Sequence, residues 1–272
     1  MRGICKMCLQ DKELVESHFI PAAIYDYCRA GKQSPIRIAG GAAFPTDRQT
    51  QVYLLCGECE NILNTNGERW LNAKLATMDR KFPLYDLITR QAPVYTIDAT
   101  DIYFSSNNPE VLTDCLVHFA MGIFWKAAVH SWLAGKTEPR IELAPYTDVI
   151  RMWLRGEGTL PSSIALSISV SRPDRAQITF NEPHEARSNE DRTFVFHVPG
   201  VFFMLHVGES LPDVTKQFCL HHSSFHPIFV SEEMTQKVED LFREMFHKSR
   251  KTDALMRTRV SREKELRNGG KS

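Results

Sequence analysis

The spacing of apolar positions changes several times along the chain, and each change marks an element. Over residues 93–104 apolar and polar residues alternate, the two-residue period of a strand. Asn108, Pro109 and Glu110 then open a helix that the pattern carries to about Ala134, with Asn108 as its cap and Gly135 as its stop. Leu112, Leu116, Phe119, Ile123 and Ala127 recur at three to four and give that helix a core-facing side. Phe119, Phe124, Trp125 and Trp132 crowd the same segment and read as core. A second helix is expected over residues 147–155. Strand periods return over 164–170, 177–180, 193–198 and 201–207, which together predict one antiparallel sheet. His197 and His206 fall at similar phases there and are expected to pair across neighbouring strands. Residues 231–248 form an amphipathic helix, capped by Ser231, with Met234, Val238, Leu241, Phe242 and Met245 on one stripe.

The front of the chain is richer in turn formers. Residues 16–30 read as a strand end followed by a helix with Pro21 in its first turn. Residues 31–50 carry Gly31, Pro35, Gly40, Gly41 and Pro45 and read as a loop or loose hairpin. Residues 52–55 form a short strand, and residues 60–75 a helix interrupted near Asn66 and Gly67. The fold class is therefore α+β: a small unit at 1–75, a helix-plus-antiparallel-sheet domain at 76–247, and a basic tail at 248–272.

Composition narrows the class further. With 43% hydrophobic and 24% charged residues, the 272-residue chain is neither disordered nor collagen-like. No run approaches a spanning helix, since the most apolar neighbourhood, 116–133, is broken by His118, Lys126 and His130. The first residues lack the apolar region of a signal peptide, so the expected location is the cytoplasm, with no membrane partner. The formal charge is zero, but nine Lys/Arg against three acids concentrate positive charge after residue 247. Such a tail suits phosphate contacts or simply stays solvated.

The cysteines carry the first chemistry. Cys5 and Cys8 form one CxxC pair and Cys56 and Cys59 another, separated by 47 residues. Four thiolates so arranged complete a tetrahedral shell, and an all-sulfur shell favours zinc. A turn-borne pair in front and a pair leading from strand to helix behind is treble-clef geometry, in which structural Zn²⁺ staples a segment too small to bury much core. Cys28, Cys115 and Cys219 read as isolated thiols. The run Cys219, His221, His222, His226 is dense in ligand types, and Cys219, His222 and His226 are the set a zinc site there would draw on; Pro227 and the intervening serines make it a loop.

Between the pairs stands Glu16-Ser17-His18-Phe19-Ile20-Pro21, and the second pair lies in Leu54-Leu55-Cys56-Gly57-Glu58-Cys59-Glu60-Asn61. These residues resemble the HNH endonuclease family in its treble-clef, two-CxxC version, over about the first quarter of the chain. The resemblance implies a metal-dependent nuclease hydrolysing phosphodiester bonds, with DNA as partner, in a restriction or phage-defence setting. It places the general base at His18. The family's metal-binding acid before that histidine is Ser17 here, and its histidine after the last cysteine is Glu60, which suits Mg²⁺ or Mn²⁺. The family's middle asparagine has no direct counterpart; Gln51 and Val52 stand nearby. On a helix starting at Cys59, Asn64 and Glu68 share a face with Glu60 and supply further oxygen ligands. The alternative expectation is a non-catalytic, zinc-stapled module that binds nucleic acid or protein, or an adaptor subunit within a larger complex.

Overall fold

The computed structural model describes residues 1–29, 34–39, 42–132, 139–176, 178–186, 192–253 and 255. The front end comprises β1 (Arg2–Ile4), β2 (Asp11–His18), α1 (Ala22–Tyr27), the hairpin of β3 (Ile36–Ala39) and β4 (Ala42–Pro45), β5 (Gln51–Cys56), α2 (Gly57–Leu63), a π-turn over Asn64–Glu68 and α3 (Arg69–Asn72). Then come α4 (Pro83–Ile88), β6 (Tyr95–Ile97), β7 (Thr100–Phe104), α5 (Thr113–Val129) and α6 (Thr147–Leu154). The remainder is β8 (Ile164–Val170), β9 (His184–Ala186), β10 (Arg192–Val198), β11 (Val201–Val207), α7 (Asp213–Gln217), β12 (Pro227–Ser231), α8 (Glu232–Lys248) and β13 (Arg250–Lys251). The mixture of helix and sheet is α+β.

Three strands, β1-β2-β5, carry the cysteine cluster, and a seven-stranded sheet in the order β6-β7-β12-β8-β11-β10-β9 forms the body. The sheet is mixed: β12 runs parallel to β8 while its other pairings are antiparallel. The sequence pattern missed β12 because His226 and Pro227 read as loop. Residues 93–104 fold as a hairpin, β6 to β7, turning at Asp98 in the left-handed region (φ 52°). Residues 178–180 are not strand; Thr179 Oγ1 lies 3.0 Å from His197 Nε2, and the edge is taken by β9. His197 sits opposite Phe202 and His206 opposite Thr193, so these histidines do not pair. Burial holds the His197 imidazole neutral, its pKa lowered to about 3.

Helix α5 starts later than expected and is buried all round. Asn108 closes a turn, its Oδ1 accepting the Glu110 N–H at 3.1 Å and its Nδ2 donating to the Leu87 carbonyl at 2.8 Å. That local bonding competes with helix and delays its start to Thr113. Every residue from Leu116 to Ala127 is buried, Lys126 included, whereas Leu112 is exposed. Such a helix is a core axle with no solvent side. One continuous apolar cluster runs from Cys5 and Leu14 through α5 to Val230, so front end and sheet share a core. The stop expected at Gly135 lies outside the described residues, as does the tail beyond Leu255. Its first residues are ordered against the front end, β13 pairing with β4.

The π-turn is the point of closest approach between the two halves. A Cβ on Gly67 would stand 2.7 Å from the Phe119 backbone nitrogen and 2.9 Å from its Cα. Only glycine lets these backbones meet, and neither can give way as a flexible side chain would. Gly67→Ala should therefore destabilise the protein by ~1–3 kcal/mol, the cost of overpacking, against the ~0.5–1 kcal/mol gain usual for Gly-to-Ala in a helix. Gly57→Ala, which meets nothing within 4 Å, is the control. Urea denaturation measures both, and equal midpoints would refute the close-approach argument.

Candidate metal centre and the adjoining corner

The first cysteine pair sits in the turn between β1 and β2, and the second joins β5 to α2. The turn is held by the Cys5 N–H to the Gln10 carbonyl (3.0 Å), by the Leu9 N–H to the Cys5 carbonyl (2.9 Å), and by Leu9 in the left-handed region (φ 60°). The Lys6 N–H donates to the Leu54 carbonyl at 3.1 Å, tying the turn to β5. One sulfur from each of Cys5, Cys8, Cys56 and Cys59 falls within 4.8 Å of the others. Cys8 and Cys56 sulfurs are 3.9 Å apart, and the Cys56 N–H donates to Cys5 Sγ at 3.3 Å. Four cysteines so placed can hold a metal such as zinc. Burial first, then the hydrogen bond with Cys56 and the charge of Cys5, push the Cys59 thiol up. A divalent cation relieves that crowding by stabilising the thiolates. From α6, Arg151 donates to the Met7 carbonyl at 2.8 Å, inside the first turn.

The residues that the resemblance singled out lie around the end of β2. Ser17 is fully buried, and its hydroxyl donates to Glu60 Oε2 at 2.9 Å, 43 residues away in sequence. His18 is half-buried and faces Gln51 in the strand register; the Gln51 amide donates to Glu16 at 3.2 Å. Asn64 begins the π-turn and is half-buried. Glu68 closes that turn and points elsewhere: its Oε1 lies 3.2 Å from Lys126 Nζ. The i, i+4, i+8 stripe of a continuous α-helix is broken here by the π-turn. Among the described residues, His18, Glu60 and Glu68 do not form a group of three ligand atoms within 4.8 Å.

Two residues outside the sequence reading of the site build its corner. Lys126, 1% exposed, donates from Nζ to the His18 carbonyl at 3.0 Å as well as to Glu68. Trp132 stacks on Phe19, ring centroids 4.5 Å apart and 7° from parallel, and its indole N–H donates to the Lys126 carbonyl at 2.8 Å. A lysine inside the apolar run Gly122-Ile123-Phe124-Trp125-Lys126-Ala127 is the signal that would have found the first. Trp132 lies past the end of α5, so helical periodicity could not place it. No described helix is long and apolar enough to cross a membrane. Comparisons with protein-family models, with curated proteins and with solved structures give no match for this chain.

Two outcomes follow from this geometry. Metal analysis of purified protein should give about one tightly held zinc per chain for the four-sulfur shell, lost in Cys56→Ser; an unchanged content in that variant would refute the centre. Lys126→Met strands the Glu68 carboxylate, which is 15% exposed, and should cost ~3 kcal/mol in urea denaturation. Lys126→Met combined with Glu68→Leu should recover most of that loss. A single variant as stable as the parent would show that the pair does not hold the corner.

Proposed function

We propose that the front end is an HNH-like module, stapled by zinc in its four-cysteine shell, that hydrolyses phosphodiester bonds of a nucleic acid, DNA in the first instance, in the cytoplasm. The observation that supports this reading is the meeting of Ser17 and Glu60. The resemblance assigns both positions to one metal site, and their side chains are in hydrogen-bond contact across the strand–helix junction.

In this reading His18 takes the proton of the attacking water, the general-base role for which an imidazole nitrogen is suited. Its backbone is fixed by the Lys126 ammonium on its carbonyl, and the residue is half-buried. Glu60, with Asn64 beside it on the next turn, would hold Mg²⁺ or Mn²⁺. The donors are oxygens, as these hard ions require, and one carboxylate suffices where substrate phosphate completes the shell. Such an ion supplies charge stabilisation at the phosphate and the leaving oxygen. Glu68 is left to Lys126 and acts as a structural anion. Basic residues after position 247 add sequence-independent phosphate contacts.

One observation favours a second reading. The Glu68–Lys126 pair puts a fixed cation where a further carboxylate ligand was expected, which suits a module that binds nucleic acid or a protein partner without cleaving. Cleavage of single- and double-stranded DNA and RNA, assayed across divalent ions, separates the two. His18→Ala should lower cleavage by the ~10²–10⁴ typical of a lost general base while zinc content stays unchanged. Glu60→Ala should weaken the response to added Mg²⁺ or Mn²⁺. Wild-type protein that shifts DNA in electrophoresis yet cleaves nothing supports the binding module, and activity surviving in His18→Ala would move the active site elsewhere.

A further inference from the structure

A second group of metal-ligand side chains lies in the body, away from the four cysteines. After α7 the chain runs through Cys219, Leu220, His221 and His222 beside the start of β8. Cys219 Sγ and one nitrogen from each of His221 and His222 all fall within 4.8 Å of one another. Cys219 is wholly buried, His221 half-buried and His222 exposed, so the group opens to solvent on one side.

Backbone carbonyls dictate which ring nitrogens are free. His221 Nε2 lies 3.1 Å from the Ile164 carbonyl oxygen, and His222 Nε2 lies 2.8 Å from the same oxygen and 3.0 Å from that of Pro161. A carbonyl only accepts, so both Nε2 atoms carry the proton and the lone pairs belong to the two Nδ1 atoms. His221 Nδ1 is 3.2 Å from Cys219 Sγ. Ligating histidines commonly donate their second ring N–H to a backbone carbonyl, which fixes the tautomer and orients the ring. Here both histidines already have that support. The loop is itself braced, since the Leu220 N–H donates to the Leu166 carbonyl at 2.7 Å. His226 is otherwise engaged: its Nδ1 donates to the Leu220 carbonyl at 2.7 Å, so the ligand set expected from sequence, with His226, gives way to one with His221.

We propose that Cys219, His221 and His222 form a second metal site, binding a borderline divalent ion of the zinc, cobalt or nickel class through one thiolate and two Nδ1 atoms. Three protein ligands leave a fourth position facing solvent, open to water or an exogenous ligand. Thiolate with two imidazoles selects against the hard ions Mg²⁺ and Ca²⁺. The site is independent of the front-end centre in sequence and in ligand set. Without a metal, the Cys219 S–H donates to His221 Nδ1, and binding releases that one thiol proton.

Titrating purified full-length protein with Co²⁺ tests this, because thiolate–cobalt charge transfer absorbs in the near ultraviolet and tetrahedral cobalt absorbs in the visible. The expected result is one equivalent taken up beyond the metal already held, with proton release and a charge-transfer band. Cys219→Ala should abolish the band. His222→Gln, an exposed position whose change spares the fold, should weaken binding at least tenfold while leaving the four-cysteine metal content unchanged. Absence of an added equivalent, or a titration identical in wild type and His222→Gln, overturns the site. Persistence of the band in a folded Cys219→Ala protein overturns it as well.

Discussion

An ammonium group inside a protein is tolerated only where an anion and dipoles meet it, because its hydration is lost. Lys126 satisfies that condition with the Glu68 carboxylate and the His18 carbonyl. Those acceptors belong to different parts of the front end. One lies at the end of β2, between the cysteine pairs; the other closes the π-turn after the second pair. A single cation from α5 therefore fixes the strand and the helical turn of the cysteine-bearing unit to one point of the core axle. Replacing the pair by hydrocarbon would retain the packing and lose that directionality, since apolar contact does not specify which atoms must meet.

Around this point the local structure becomes intelligible. The π-turn widens the helix after Cys59, and Gly67 brings its backbone onto Phe119 closely enough for Glu68 to reach Lys126. Beyond the other acceptor, Phe19 and Trp132 stack, and the Trp132 indole satisfies the Lys126 carbonyl past the end of α5. The cysteine cluster brings the turns of both CxxC pairs and the end of β5 together at four sulfurs that can hold a metal. Arg151 from α6 meets the first of those turns at the Met7 carbonyl. The front end thus relies on α5 and α6 for burial, while the turn of its first cysteine pair leads into β2, the strand that carries Ser17 and His18.

The legible parts of the fold were those whose pattern is local. Strands β8 and β11 and helix α6 have a regular period and clear ends, and the cysteine spacing stood out because two CxxC pairs converge without help from distant residues. Errors arose where tertiary contacts overrode the pattern. Helix α5 looked one-sided, yet both halves of the protein cover it, and Lys126 read as a break in an apolar run when it is a buried, paired side chain. Strand β12 begins at Pro227, just after a left-handed His226, both signals of loop, and becomes a strand only because β7 and β8 flank it. The histidines of 221–226 could not be sorted by spacing. Their roles depend on carbonyls at Pro161 and Ile164, about sixty residues earlier.

The same logic separates the two front-end carboxylates that sequence treats alike. Glu68 faces a buried ammonium and is paired with it. Glu60 has a neutral hydroxyl for a neighbour, which donates one hydrogen bond to Oε2, and among the described residues no cation pairs with it. A carboxylate with a proton donor but no countercharge attracts cations, whereas one already neutralised by lysine does not. A serine beside Glu60 is therefore informative: aspartate at position 17 would have doubled the negative charge there, while the hydroxyl adds none. Under the proposed function, cation affinity rests on Glu60 and structural integrity on Glu68, the division of labour expected if the ion arrives together with a phosphate and leaves with it.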